Sequence, residues 1–168
     1  MNRILKCAAA FIAVSLCAPA GVSAHVTLET KQARVGSYYK AVLRVPHGCH
    51  GSPTLRVRVR IPEGVINVKP QPKPGWTLEL VKGNYARPYA AHHGAPVSAG
   101  VRELVWSGRL PDEYYDEFVF SSYLSTDLPA GGTLYFPVVQ ECEKGISRWT
   151  DVPGQGGKFP APGVRLLP

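Results

Sequence analysis

The chain has 168 residues, 19 Lys and Arg against 12 Asp and Glu (formal charge +7), and 45% hydrophobic residues. That length suits about one domain, and the apolar fraction is too high for a disordered chain. The basic excess comes without a nucleic-acid motif or a basic low-complexity tail, so it points to an ordinary solvated surface and away from a nucleic-acid partner.

Residues 1–24 read as a secretory signal: Arg3 and Lys6, then an apolar run from Cys7 to Cys17, then Val22-Ser23-Ala24. The run is too short for a membrane helix, and no later stretch is long and apolar enough to be one. Leu16 ahead of Cys17 disfavours lipid attachment, because that chemistry wants a small residue there. Cleavage after Ala24 would remove two cysteines and two cations, lowering the formal charge from +7 to +5. The expected product is soluble, in the periplasm or secreted, and has no membrane span. Its first residue is His25.

Strand signals dominate the chain after His25. Val26 and Leu28 alternate directly behind it, and Tyr39, Ala41, Leu43 and Val45 alternate up to Pro46. Within Thr54–Ile61, Leu55, Val57, Val59 and Ile61 alternate with Arg56, Arg58 and Arg60, the pattern of a half-buried strand. A one-residue slip would bury three guanidinium groups, so its register is firmly specified. The arginine row is most simply a solvated sheet face; the alternative is a dedicated anion-binding role.

Further strands are predicted at Gly64–Lys69, Trp76–Lys82, Gly100–Ser107, Glu117–Leu124, Thr133–Gln140 and Ile146–Val152. Pro- and Gly-rich turns separate them. Pro70, Pro72 and Pro74 predict a stiff, polyproline-like connection, and only Pro111–Asp116 suits a helical turn. Eight or so short strands predict an all-β fold, a two-sheet β-sandwich. The organisation expected is a signal peptide at 1–24, one domain at 25–153 and a flexible Gly/Pro-rich tail at 154–168.

No GxSxG, HExxH, Walker or GxGxxG pattern supplies a catalytic set. Cys49 and Cys142, the pair left after cleavage, read first as a disulfide in an oxidising compartment; the rival is a pair of thiolate ligands for Cu(I). His47 and His50 flank Cys49 in a turn-rich loop. His92 and His93 lie in another loop, where an extended backbone would point the two rings apart.

His25 differs from these four. A free N-terminal histidine offers a metal its α-amine and its imidazole Nδ1, which together close a six-membered chelate ring. The amine's ordinary pKa of about 7.7 lets Cu(II) displace its proton near neutrality. Nitrogen donors with a carboxylate suit Cu(II) best among the divalent first-row ions. Glu29, Asp116 and Glu117 are the candidate carboxylates, and alternation does not choose among them. It does set Glu117 on the face opposite Phe118 and Phe120.

The post-signal HVTLE, then RVPHGCHGSPT, IPEGV, VKPQPKPGW, LPDEYYDEF, LYFPVVQ and RWTDVP, resemble the YcnI-like family of exported copper-binding domains across essentially the whole mature domain. The resemblance implies a cupredoxin- or immunoglobulin-like sandwich with a Cu(II) site of the monohistidine-brace type. It assigns the brace to His25, the acidic ligand to Glu117, and a tryptophan near the metal to Trp149, with Trp106 as second choice. It also implies a non-enzymatic role in copper delivery or homeostasis, with the copper ion and other periplasmic copper proteins as partners. Some relatives carry a membrane anchor or a second copper-binding module, which the sequence after Pro153 lacks, so a free soluble form is expected. The alternatives are an oxidative copper enzyme of the polysaccharide monooxygenase kind and a metal-free envelope-interaction module.

Overall fold

A computed structural model describes residues 25–152, 154 and 157–168; the expected signal segment, 1–24, lies outside the described residues. The strands are β1 (Thr27–Leu28), β2 (Gln32–Arg34), β3 (Ser37–Val45), β4 (Thr54–Arg60), β5 (Val65–Pro70) and β6 (Thr77–Tyr89), then β7 (Val97–Leu110), β8 (Asp116–Leu124), β9 (Thr133–Tyr135), β10 (Val138–Cys142), β11 (Gly145–Trp149) and β12 (Gly163–Leu167). No helix occurs among the described residues, so none is long and apolar enough to cross a membrane.

A four-stranded sheet, β1-β3-β8-β5, packs on a five-stranded sheet, β11-β10-β4-β7-β6. The all-β sandwich expected from the alternation is the fold. Val57, Val59 and Ile61 are fully buried, as are Phe118 and Phe120 from the facing sheet. Arg56 and Arg60 face solvent, which fixes the register of β4 as predicted.

Several elements depart from the sequence reading. Leu55 is 37% exposed because the β4–β7 ladder shifts register between Thr54 and Arg56, turning Thr54 inward in its place. The strand predicted over Thr133–Gln140 is two strands: Phe136 N–H donates to Pro162 O, and Pro137, which has no N–H, separates a half paired with β12 from a half paired with β4. Pro111–Asp116 forms a turn closed by Tyr114 N–H to Pro111 O, not a helical element. The KPQPKPGW connection is only partly polyproline-like. Pro70 still belongs to β5, Gln71 N–H donates to Val119 O, and a turn from Lys73 to Trp76 closes the segment.

The largest correction concerns the tail. Residues 163–167 form β12, which pairs parallel with β2 and antiparallel with β9 in a third, three-stranded sheet. Val164 and Leu166 are buried in the main core, so the short Val-Arg-Leu alternation outweighs the Gly/Pro-rich run before it. Leu166→Ala is therefore expected to cost about 2–4 kcal/mol of unfolding free energy, read as a lower urea midpoint at unchanged m value. An unattached tail would leave the midpoint where it was.

Candidate metal centre

His25 leads into a segment held at two buried points. Val26 and Leu28 are each 2% exposed, Thr27 and Leu28 pair with Arg44 and Leu43, and Glu29 N–H donates to Val42 O. Burying such side chains contributes about 1.5–3 kcal/mol each, enough to keep this end from fraying. The His25 ring meets Trp149 edge-on, with centroids 5.3 Å apart. His25, Thr27 and Lys31 form one side of an open depression of about 300 Å³, and Pro160–Gly163 form the other.

Trp149 closes β11 and is almost fully buried. Phe159 also packs on the indole edge-to-face at 5.3 Å, so Trp149 contacts both His25 and the segment that leads to β12. Trp149 Nε1–H donates to Gln140 Oε1 (3.1 Å), and Gln140 Nε2 donates to His47 O (2.6 Å) and Thr54 Oγ1 (2.7 Å). Gln140 is 1% exposed, and this network satisfies its amide. Asp151 Oδ2 accepts from Phe159 N–H, and Asp151 exchanges backbone bonds with Phe159 and Ala161, which fixes the far wall. The sequence reading did not single out Gln140. Its signal was there: alternation with Val138 puts a polar amide on the inward face of β10.

Glu117 faces away from Phe118 and Phe120, as the alternation predicts, but it does not meet His25. Arg44 stands in the strand between β1 and β8 and holds Glu117 Oε1 at 3.7 Å through Nε. Glu117 lines a small cavity of about 100 Å³ with Gln71, Lys73 and Trp106. Trp106, the second-choice tryptophan, is fully buried beside Phe118, and its Nε1 has no hydrogen-bond partner. The residues named by the resemblance thus divide into two places, His25 with Trp149 and Glu117 with Trp106. Of the other two carboxylates, Asp116 pairs with Lys73, and Glu29 is exposed at the end of β1.

Cys49 and Cys142 form a disulfide with Cα atoms 5.8 Å apart, so neither sulfur is a thiolate and the Cu(I) thiolate reading is withdrawn. A disulfide of this kind belongs to an oxidising compartment. Cys49 and Ser52 exchange both backbone bonds around His50 and Gly51, which both have positive φ, the geometry of a tight hairpin turn. His47 Nδ1 lies 2.5 Å from Gly48 O, and His50 packs over Gly145. The rings of His92 and His93 do not point apart. A series of bends brings their centroids to 4.0 Å, with His92 packed on Tyr38 and Tyr123.

In the full chain the backbone nitrogen of His25 is an amide and cannot chelate. If cleavage after Ala24 frees it, that nitrogen and Nδ1 of the same residue fit a two-nitrogen chelate beside Trp149. Among the described residues, no three His, Cys, Asp or Glu side chains are grouped to hold a metal ion. The third donor is therefore not in place.

A match to the family described as a domain of unknown function, DUF1775, spans residues 25–166. The chain belongs to the DUF1775 family. The matched span begins at His25 and takes in β12, in keeping with a tail that is part of the domain. A comparison with curated proteins found no match. Among solved structures, the DUF1775 domain is similar to an uncharacterized protein from Nocardia farcinica described as having an immunoglobulin-like fold. The two share 24% identity at a TM-score of 0.60, over 86% of this chain and 99% of the other. That likeness supports the immunoglobulin-like sandwich and nothing further.

Proposed function

We propose that this DUF1775 domain is an exported, non-enzymatic copper-binding protein that carries Cu(II) on an N-terminal His25 in the periplasm or outside the cell. The observation that carries the reading is the contact between His25, pinned at the start of β1, and the buried edge of Trp149. The copper-binding role itself comes from the YcnI-like resemblance.

Copper is cargo in this reading. Cleavage after Ala24 frees the amine, and His25 supplies it together with Nδ1. Trp149 excludes water from one side, and the Gln140 bond fixes the indole's orientation. The resemblance assigns the carboxylate to Glu117, which must first exchange its Arg44 partner. Both side chains of that pair are partly exposed, and such pairs are worth about 0–1 kcal/mol, so the exchange is cheap. Reduction to Cu(I) weakens nitrogen and oxygen ligation and favours release to a softer site, as on another periplasmic copper protein.

The test is a Cu(II) competition titration of protein recovered after export, beside a His-Val-Thr peptide. The domain is expected to bind more tightly than the peptide, because strand β1 holds the chelate in one conformation against Trp149. Equal affinities would remove the site. Oxidised oligosaccharides from copper-loaded protein, polysaccharide, reductant and oxygen would replace this reading with the enzymatic one.

A further inference from the structure

The outer face of the five-stranded sheet is more than a solvated row of arginines. Arg148 on β11 and Arg58 on β4 both pair with Val139 on β10, so they flank it, and Arg60 lies two residues along β4. Arg58, Arg60, Arg102 and Arg148 line an open depression of about 590 Å³ together with Glu103 and Val139.

Arg102 reaches this face through a β-bulge. Val81 pairs with Glu103 and Lys82 with Val101, which leaves Arg102 as the extra residue of β7. Strict alternation would send Arg102 and Glu103 to opposite faces, whereas the bulge lets both line the same depression. Bulges of this kind commonly re-aim a side chain at a functional site.

The charges are unevenly satisfied. Arg58 pairs with Glu103 at 2.6 Å and Glu141 at 3.5 Å, and Arg56 also takes Glu141. Arg102 pairs with Glu63 through Nη2, but its Nη1 is buried with no hydrogen-bond partner. Among the described residues, Arg60 and Arg148 have no carboxylate within ion-pair distance. A purely solvated face does not need the bulge. An anion in the depression would accept from the unpaired Arg60 and Arg148 guanidinium groups and offset the repulsion between them.

We propose that this depression binds a multivalent, phosphate-bearing anion, either free or displayed as a lipid headgroup. Arg60, Arg102 and Arg148 come from three strands and present more donors than a single carboxylate can accept. A phosphate offers three strong acceptor oxygens and more charge. Arg60 on β4 and Arg148 on β11, the two unpaired cations, lie on strands two spacings apart, about 10 Å, so a ligand with more than one phosphate group spans them.

The test uses the full-length, metal-free chain and inorganic tripolyphosphate in a calorimetric titration, so it is independent of the copper reading. R60Q/R148Q is expected to weaken binding about tenfold or more, whereas K40Q/R165Q, which removes the same charge elsewhere, is expected to change it by less than about twofold. R102Q is expected to weaken binding while leaving the fold intact by circular dichroism. Cosedimentation with phosphatidylglycerol vesicles, compared with phosphatidylcholine vesicles, separates the two sources. Vesicle binding lost in R60Q/R148Q supports a headgroup ligand, and tripolyphosphate binding without vesicle binding supports a free one. Equal weakening by the two double variants, or no binding to either probe, overturns the proposal.

Discussion

Protein that begins at His25 is expected to bind Cu(II) roughly a hundredfold more tightly than protein retaining Gly21-Val22-Ser23-Ala24 ahead of it, a difference of about 2.7 kcal/mol. The two forms share every side chain of the folded domain. They share the buried anchors Val26 and Leu28, the His25–Trp149 contact and the Gln140 bond to the indole. The retained residues change one atom's chemistry: the His25 nitrogen becomes an amide without a basic lone pair, and the nearest amine moves four residues away. A chelate is reduced to a single imidazole. Electron paramagnetic resonance of the Cu(II) forms is expected to show coupling from two nitrogens of His25 in the first and one in the second. Matching spectra and affinities would end the brace proposal, whereas matching melting temperatures are expected because no packing changes.

Replacing both cysteines, C49A/C142A, is expected to lower stability by about 4 kcal/mol and the melting temperature by roughly 10–15 °C. The crosslink joins positions 93 residues apart in sequence, and so removes a large loop-closure entropy from the unfolded chain. Its folded surroundings are also tightly built. Cys142 ends β10 next to the buried Thr54, and Cys49 sits in the hairpin turn that Ser52 closes. Calorimetry of the variant and of reduced wild type should agree, since both lose the same constraint. A fall under about 1 kcal/mol would mean that the unfolded chain keeps structure that already holds these ends together. Below its melting point the variant is expected to retain Cu(II) binding, because the chelate proposed at His25 uses no sulfur.

The strands legible in the sequence were those with one buried face. Val57, Val59 and Ile61 opposite three arginines, and Phe118 with Phe120, alternate because one side meets the core and the other meets water. The long β6 was recognised only in its first half. It is an edge strand exposed over much of its length, so its later residues carry no burial pattern. β12 was missed because its alternation is only a few residues long and comes after a run rich in Gly and Pro, while its pairing partners, β2 and β9, are distant in sequence. The site divides the same way. His25 stands out by its place after the expected signal segment, but Gln140, Phe159 and Asp151 act through contacts across three chain segments.

The sequence by itself determined the all-β class, the inward faces of the strongly alternating strands, the pairing of Cys49 with Cys142 and the singular position of His25. These rest on local rules, namely side-chain period, turn chemistry and the arithmetic of one cysteine pair. Only the tertiary structure decided that the last strand is part of the core, that Arg102 joins the arginine face through a bulge, and that Arg44 separates Glu117 from the terminal histidine. Each of those depends on strand order and register between distant segments. Neither is encoded in any one stretch of chain, because both are set by which faces must be buried together.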